Sequence, residues 1–225
     1  MHIEPGVVDG AKIALGYATG AGCLGLVAAM ARDGLARNGV LPFVVRSLVA
    51  TGLVFSFFEI LPHLPVGVSE IHLILGSMLF LLFGAGPAAV GLAVGLLLQG
   101  LFFAPFDLPQ YGINLTTLIV PLAGVAFLAK RIVAPGTAYV DLEYRQALAL
   151  SAAYQGGIVA WVAFWAFYGR GFGAENLASV GSFGAAYMTV VLLEPLVDLA
   201  VLAGAKALAA GHGDLFLQRR VRCAA

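Results

Sequence analysis

Apolar residues fill this chain in long blocks, and polar residues are pushed into the joints between them. A helix that crosses a bilayer needs about 20 mostly apolar residues, and the blocks match that length. The first runs over 11–31 and the second over 40–61. A longer apolar run, 70–104, is broken at Gly84-Ala85-Gly86-Pro87, which splits it into a short helix at 70–83 and a fuller one at 87–104. The fifth block, 113–129, stops at Lys130-Arg131. The sixth covers 146–168, and the seventh covers 182–208. This pattern predicts an all-α membrane protein of about seven transmembrane helices in one bundle. Residues 1–225 read as a single domain, with 1–10 as an N-terminal segment folded toward the bundle and 209–225 as a cytoplasmic tail. No internal repeat is visible, so an inverted-repeat architecture is not expected.

Composition agrees with the pattern. The chain is 61% hydrophobic and 11% charged, with mean hydropathy +0.97, whereas soluble domains are about half apolar and about a quarter charged. The formal net charge is zero. No basic stripe is present to neutralise phosphates, which argues against a nucleic-acid partner. Cys23 and Cys223 form neither a disulfide framework nor a CxxC pair. The opening MHIEPGVVDG has no basic cluster, so no signal peptide is expected.

Lysine and arginine placement sets the expected orientation. With the N-terminus outside, the inner segments hold Arg32, Arg37, Lys130, Arg131, Arg145, Lys206, Arg219, Arg220 and Arg222, and the outer ones hold only Lys12 and Arg170. That choice collects His2, Glu4, His63, Glu70, His72 and Asp107 on the outer face and leaves His212 in the inner tail.

Met1-His2 is the stretch with chemistry to offer. Histidine is bulky at position 2, so the initiator methionine is expected to stay. The α-amine, the next backbone nitrogen and the His2 ring are three nitrogen donors, held nearly in one plane by the planar peptide. A fourth nitrogen from His72 completes a square. Such ligation suits Ni(II) or Cu(II), with Co(II) possible. It does not suit tetrahedral Zn(II) or the oxygen-seeking Mg(II) and Ca(II).

An ordered set of short stretches then carries a resemblance. These are Met1-His2-Ile3 with an acidic residue and Gly6, Val68-Ser69-Glu70-Ile71-His72-Leu73-Ile74-Leu75-Gly76, and Phe83-Gly84-Ala85-Gly86-Pro87-Ala88-Ala89. Leu97-Leu98-Gln99-Gly100-Leu101-Phe102-Phe103 and Gly112-Ile113-Asn114 follow. Over roughly residues 1–125 the chain resembles the CbiM/NikM family, the substrate-binding membrane (S) components of cobalt and nickel energy-coupling-factor transporters. The resemblance implies a metal site at Met1, His2 and His72, with Gln99 and Asn114 beside it. It implies cobalt or nickel as transported substrate and no organic cofactor. The implied partners are a transmembrane coupling subunit, ATPase subunits and a small accessory membrane subunit, all within the lipid of a bacterial inner membrane. The segment Ala104-Pro105-Phe106-Asp107-Leu108-Pro109-Gln110-Tyr111 departs from the family pattern, as does His63, which is carried as a possible neighbour of the site. These departures leave the choice among cobalt, nickel and another divalent ion open.

Arg46, Glu194 and Asp198 lie within spans. Glu194 and Asp198 are four apart on one helix face, and Arg46 lies at similar depth, so an Arg46–Asp198 pair locking the second and seventh helices is expected. Helix one carries small-residue stripes, Ala14-Ala18-Gly22 and Gly16-Gly20, of the kind that lets helices touch. In the resembled family such stripes meet the coupling subunit; packing inside the bundle is the other reading. No GxxxxGK[ST] motif is present, so the chain is not expected to hydrolyse ATP. An intramembrane metalloenzyme needs a motif such as HExxH, and Ser69-Glu70-Ile71-His72 does not supply one. The expectation is therefore capture of a divalent metal for uptake. A permease for a different ion and a non-transporting membrane scaffold are the alternatives.

Overall fold

The computed structural model describes residues 3–61, 63–134, 137 and 141–208. Met1, His2 and the expected tail 209–225 lie outside the described residues. The helices are α1 (Ile13–Asn38), α2 (Val40–Glu59), α3 (Gly76–Phe83), α4 (Ala85–Phe102), α5 (Tyr111–Ile132), α6 (Tyr144–Arg170), α7 (Ala174–Met188) and α8 (Val190–Leu208). Six helical stretches are long and apolar enough to cross a membrane, one of them formed by α7 and α8 together.

The remaining crossing is not a plain helix. The expected helix at 70–83 begins only at Gly76. Before it, β1 (Leu64–Val66) and β2 (Ser69–Ile71) form an antiparallel hairpin in which Val66 faces Ser69 and Leu64 faces Ile71. Gly67, at φ 64°, allows the tight turn between them. Eight helical residues rise only about 12 Å, far short of the roughly 30 Å hydrocarbon layer. Between hairpin and helix, 72–75 is irregular: the Ile74 N–H donates to the His72 carbonyl (3.0 Å) and the Gly76 N–H to the Ile74 carbonyl (2.8 Å), two tight three-residue turns. Non-helical backbone survives at that depth only when protein satisfies it, and it is satisfied here. Tyr187 donates its hydroxyl proton to the His72 carbonyl (3.1 Å), and the Gln155 amide donates to the Ile74 carbonyl (3.3 Å). Every residue of α3 is buried. Its far end, at Phe83 and Gly84, lines a cavity of about 570 Å³ with Asp33, Arg37 and Lys130. The cationic Arg37 and Lys130 therefore sit at the opposite end of the bundle from the hairpin.

The last block starts earlier than its hydropathy suggests. Helix begins at Ala174 because Asn176 in the first turn donates to the Ala166 and Gly171 carbonyls (3.0 and 2.7 Å), tying α7 to the end of α6. It is interrupted at Thr189.

Glycine lets the helices touch. A Cβ at Gly91 or Gly95 of α4 would lie 2.6 Å from Ala50 or Val54 of α2. A Cβ at Gly16 or Gly20 of α1 would lie within 2.6 Å of Ile113 or Gly112 of α5. The Gly16-Gly20 stripe is therefore used inside the bundle, whereas Ala14, Ala18 and Gly22 are exposed. Gly76 is crowded beneath the hairpin, since a Cβ there would lie 2.1–2.5 Å from three ring carbons of the fully buried Tyr154. Overpacking costs about 1–3 kcal/mol, occasionally more. Gly76→Ala is expected to lower thermal stability in detergent by that amount, whereas Gly124→Ala, with nothing within 4 Å of its Cβ, leaves the melting temperature unchanged.

Candidate metal centre

The N-terminal segment is strapped onto the hairpin. Ile3 bridges Ser69 as a further antiparallel neighbour of β2, and the Glu4 N–H donates to the Val68 carbonyl at 3.2 Å. On its other side the Ile3 N–H donates to Asn114 Oδ1 at 3.0 Å. Ile3, Val7 and Val8 are all buried. A β-branched residue fits a pleated, half-buried position, so Ile3 anchors the segment by burial as well as by backbone pairing. The chain thus enters the bundle beside the strand that leads, three residues on, to His72.

His72 is 1% exposed. Its Nε2 lies 3.0 Å from Glu70 Oε2. Successive strand side chains alternate faces, so residues two apart share one, and the Glu70-Ile71-His72 spacing produces this contact. A carboxylate on one imidazole nitrogen fixes the tautomer and raises the basicity of the other toward a metal. The Phe58 ring meets His72 edge-on at 5.3 Å between centroids. His63 stacks on it at 5.1 Å with 20° between planes, and is itself exposed. The structure therefore brings His63 and His72 together.

Gln99 and Asn114 are both buried. With Asp107, Leu108 and Tyr111 they line a cavity of about 10 Å³, room for about one water. Gln99 Oε1 and Asn114 Nδ2 have no hydrogen-bond partner among the described residues. Asn114 acts on the backbone of Ile3 rather than at the end of its own helix. Asn114→Leu is expected to weaken metal binding about 10–100-fold, the usual cost of removing a supporting partner. Asn114→Asp, which keeps the acceptor, should cost far less; calorimetric titration of the purified pair separates them.

The mouth of the site is acidic. Partial burial pushes the Glu4 carboxyl above its ordinary range, repulsion from Glu70 adds to the rise, and Arg170 offsets part of it. A carboxyl raised in the folded state contributes stability at low pH that is lost as pH rises through its folded-state pKa. Glu4→Gln should therefore match the wild type in acid and become the more stable of the two toward alkaline pH, read from melting curves across a pH series.

Arg46 and Asp198 are not partners. Both are buried, but Asp198 bonds to Ser77 of α3, with Oδ2 3.3 Å from Ser77 Oγ, and its other oxygen has no hydrogen-bond partner among the described residues. Equal depth along two helices does not make them face each other; α3 lies against α8 and takes the contact. The sequence reading passed over Tyr187, Phe58 and Gln110. Gln110 is buried, and no local spacing announces any of the three. Among the described residues no group of three or more His, Cys, Asp or Glu is placed to hold a metal, and Met1 and His2 lie outside them.

A buried, membrane-crossing bundle with a histidine-bearing hairpin at one end defines a multi-pass membrane protein built around a small polar site. Residues 2–210 match the family described as CbiM, cobalt uptake substrate-specific transmembrane region, and the chain belongs to that family. It is thus a transmembrane component of cobalt uptake, in a transport family rather than an enzyme class. Neither a curated protein nor a solved structure matches the chain.

Proposed function

We propose that this chain is the substrate-capture component of an ATP-driven uptake transporter for cobalt or nickel, seated in a bacterial inner membrane with its N-terminus outside. The ion is held by the Met1 amine, the backbone nitrogen and ring of His2, and His72. The observation that carries this reading is Ile3. Its backbone is held by Ser69 on one side and Asn114 on the other, and chain reach of about 3.3–3.6 Å per residue keeps Met1 close to that anchor. Glu70 prepares His72 for a metal, and the acids at the mouth favour cation approach.

Energy comes from partners. The exposed stripe Ala14-Ala18-Gly22 on α1 offers a close-packing face to a transmembrane coupling subunit, which ATPase subunits drive; a small accessory membrane subunit completes the set. Radiolabelled uptake in cells tests the whole reading. Cobalt accumulation that needs the chain, its partners and ATP supports it. Accumulation of another divalent ion instead points to a different substrate, and no ion dependence at all points to a scaffold.

A further inference from the structure

A second polar site lies buried inside the helix bundle, and capture does not use it. Glu194 and Asp198 of α8 are both fully buried. Glu194 receives four donors: the Ser77 hydroxyl (2.7 Å), the Ser77 N–H (3.3 Å), the Ser151 hydroxyl (2.5 Å) and the Gln155 amide (3.1 Å). An ionised carboxylate is acceptor-only and has about four lone-pair positions, so Glu194 is fully supplied as an anion.

Asp198 is not. Its only hydrogen-bond neighbour among the described residues is Ser77 Oγ, 3.3 Å from Oδ2. A serine hydroxyl has one proton and two lone pairs. The closer contact, to Glu194, uses that proton. The contact to Asp198 is then a hydrogen bond only if Asp198 donates. Asp198 Oδ1, fully buried with no partner, agrees: as an ion it would be an unsatisfied charge in the bilayer core, which is costly, whereas as the carbonyl oxygen of a neutral carboxyl it is not. Gln155 Oε1, also buried and without a partner among the described residues, adds a second idle acceptor on a side chain that itself bonds Glu194.

We propose that Asp198, Ser77 and Glu194 form an intramembrane proton-binding site that holds one proton between two carboxyls. Asp198 O–H donates to Ser77 Oγ, and Ser77 O–H donates to Glu194. A concerted shift breaks the Asp198 O–H and Ser77 O–H bonds and forms new ones on Ser77 and Glu194. One proton enters Ser77 as another leaves it, and the negative charge moves from Glu194 to Asp198, one turn along α8. The other titratable groups facing the pair are the hydroxyls of Tyr154 on α6 and Tyr187 on α7; Arg46 bonds to neither carboxyl. The site sits on the same crossing segment as His72, five residues further in. It therefore gives that segment a contact with α6 and α8 that carries one proton and one negative charge.

Infrared spectroscopy of the full chain in lipid nanodiscs, at neutral pH and without metal, tests this independently of which ion is captured. The wild type should show a protonated-carboxyl C=O band that shifts in D2O and is lost in Asp198→Asn. In Ser77→Ala the band should persist but move, because the carboxyl loses its acceptor. Identical carboxyl regions in wild type and Asp198→Asn overturn the proposal. If Asp198→Asn does not fold, a Ser77→Ala band that stays where it was overturns it.

Discussion

His72→Ala abolishes capture: cobalt uptake should fall to the level of cells lacking the protein, and the purified variant should bind cobalt more than about 100-fold more weakly, beyond the range for losing a mere supporting partner. The reason is geometric. The His72 ring is buried, braced by Glu70 at 3.0 Å, by Phe58 edge-on and by His63 in a stack. Its carbonyl is pinned by Tyr187. No other described histidine is buried, so nothing can take over its nitrogen. His63→Ala is the control. Its exposed ring covers His72 without enclosing it, and its loss should cost less than about tenfold, at the low end for a supporting neighbour. Equal losses in both variants would mean that the two rings bind as a pair.

The blocks of apolar sequence marked the crossing helices well because a bilayer imposes one length on all of them. They failed where the membrane is not the constraint. The stretch 70–75 belongs to an apolar run, yet pairing with β1 and Ile3 makes its first part a strand, and the rest turns tightly, with protein donors on its carbonyls. Reading it as helix hid the Glu70–His72 contact, since residues two apart on a helix point to different faces. The Arg46–Asp198 lock failed for a related reason. Hydropathy gives depth but not azimuth, and only packing shows that Ser77 of α3 faces α8. Conversely, the ordered resemblance named His72, Gln99 and Asn114 as candidates, and the structure buries all three. What Asn114 does, holding the backbone of Ile3 at 3.0 Å, required the structure.

The second large effect concerns the terminus itself. An extension before Met1 turns its amine into an amide, whose nitrogen lone pair is delocalised into the peptide bond, and so would remove one of the four nitrogens proposed to hold the ion. The anchors of Ile3 at Ser69 and Asn114 are untouched, so the extended protein should fold with an unchanged melting temperature and yet fail to bind. That combination separates a lost ligand from a lost fold. The deciding measurement is metal content and cobalt affinity of untagged protein, with intact mass confirming the Met1 start, beside the same protein carrying a short N-terminal extension. One ion per untagged chain, with a visible spectrum of square nitrogen ligation and none in the extended protein, is the predicted result; tight binding by the extended protein would contradict the chelate at its centre.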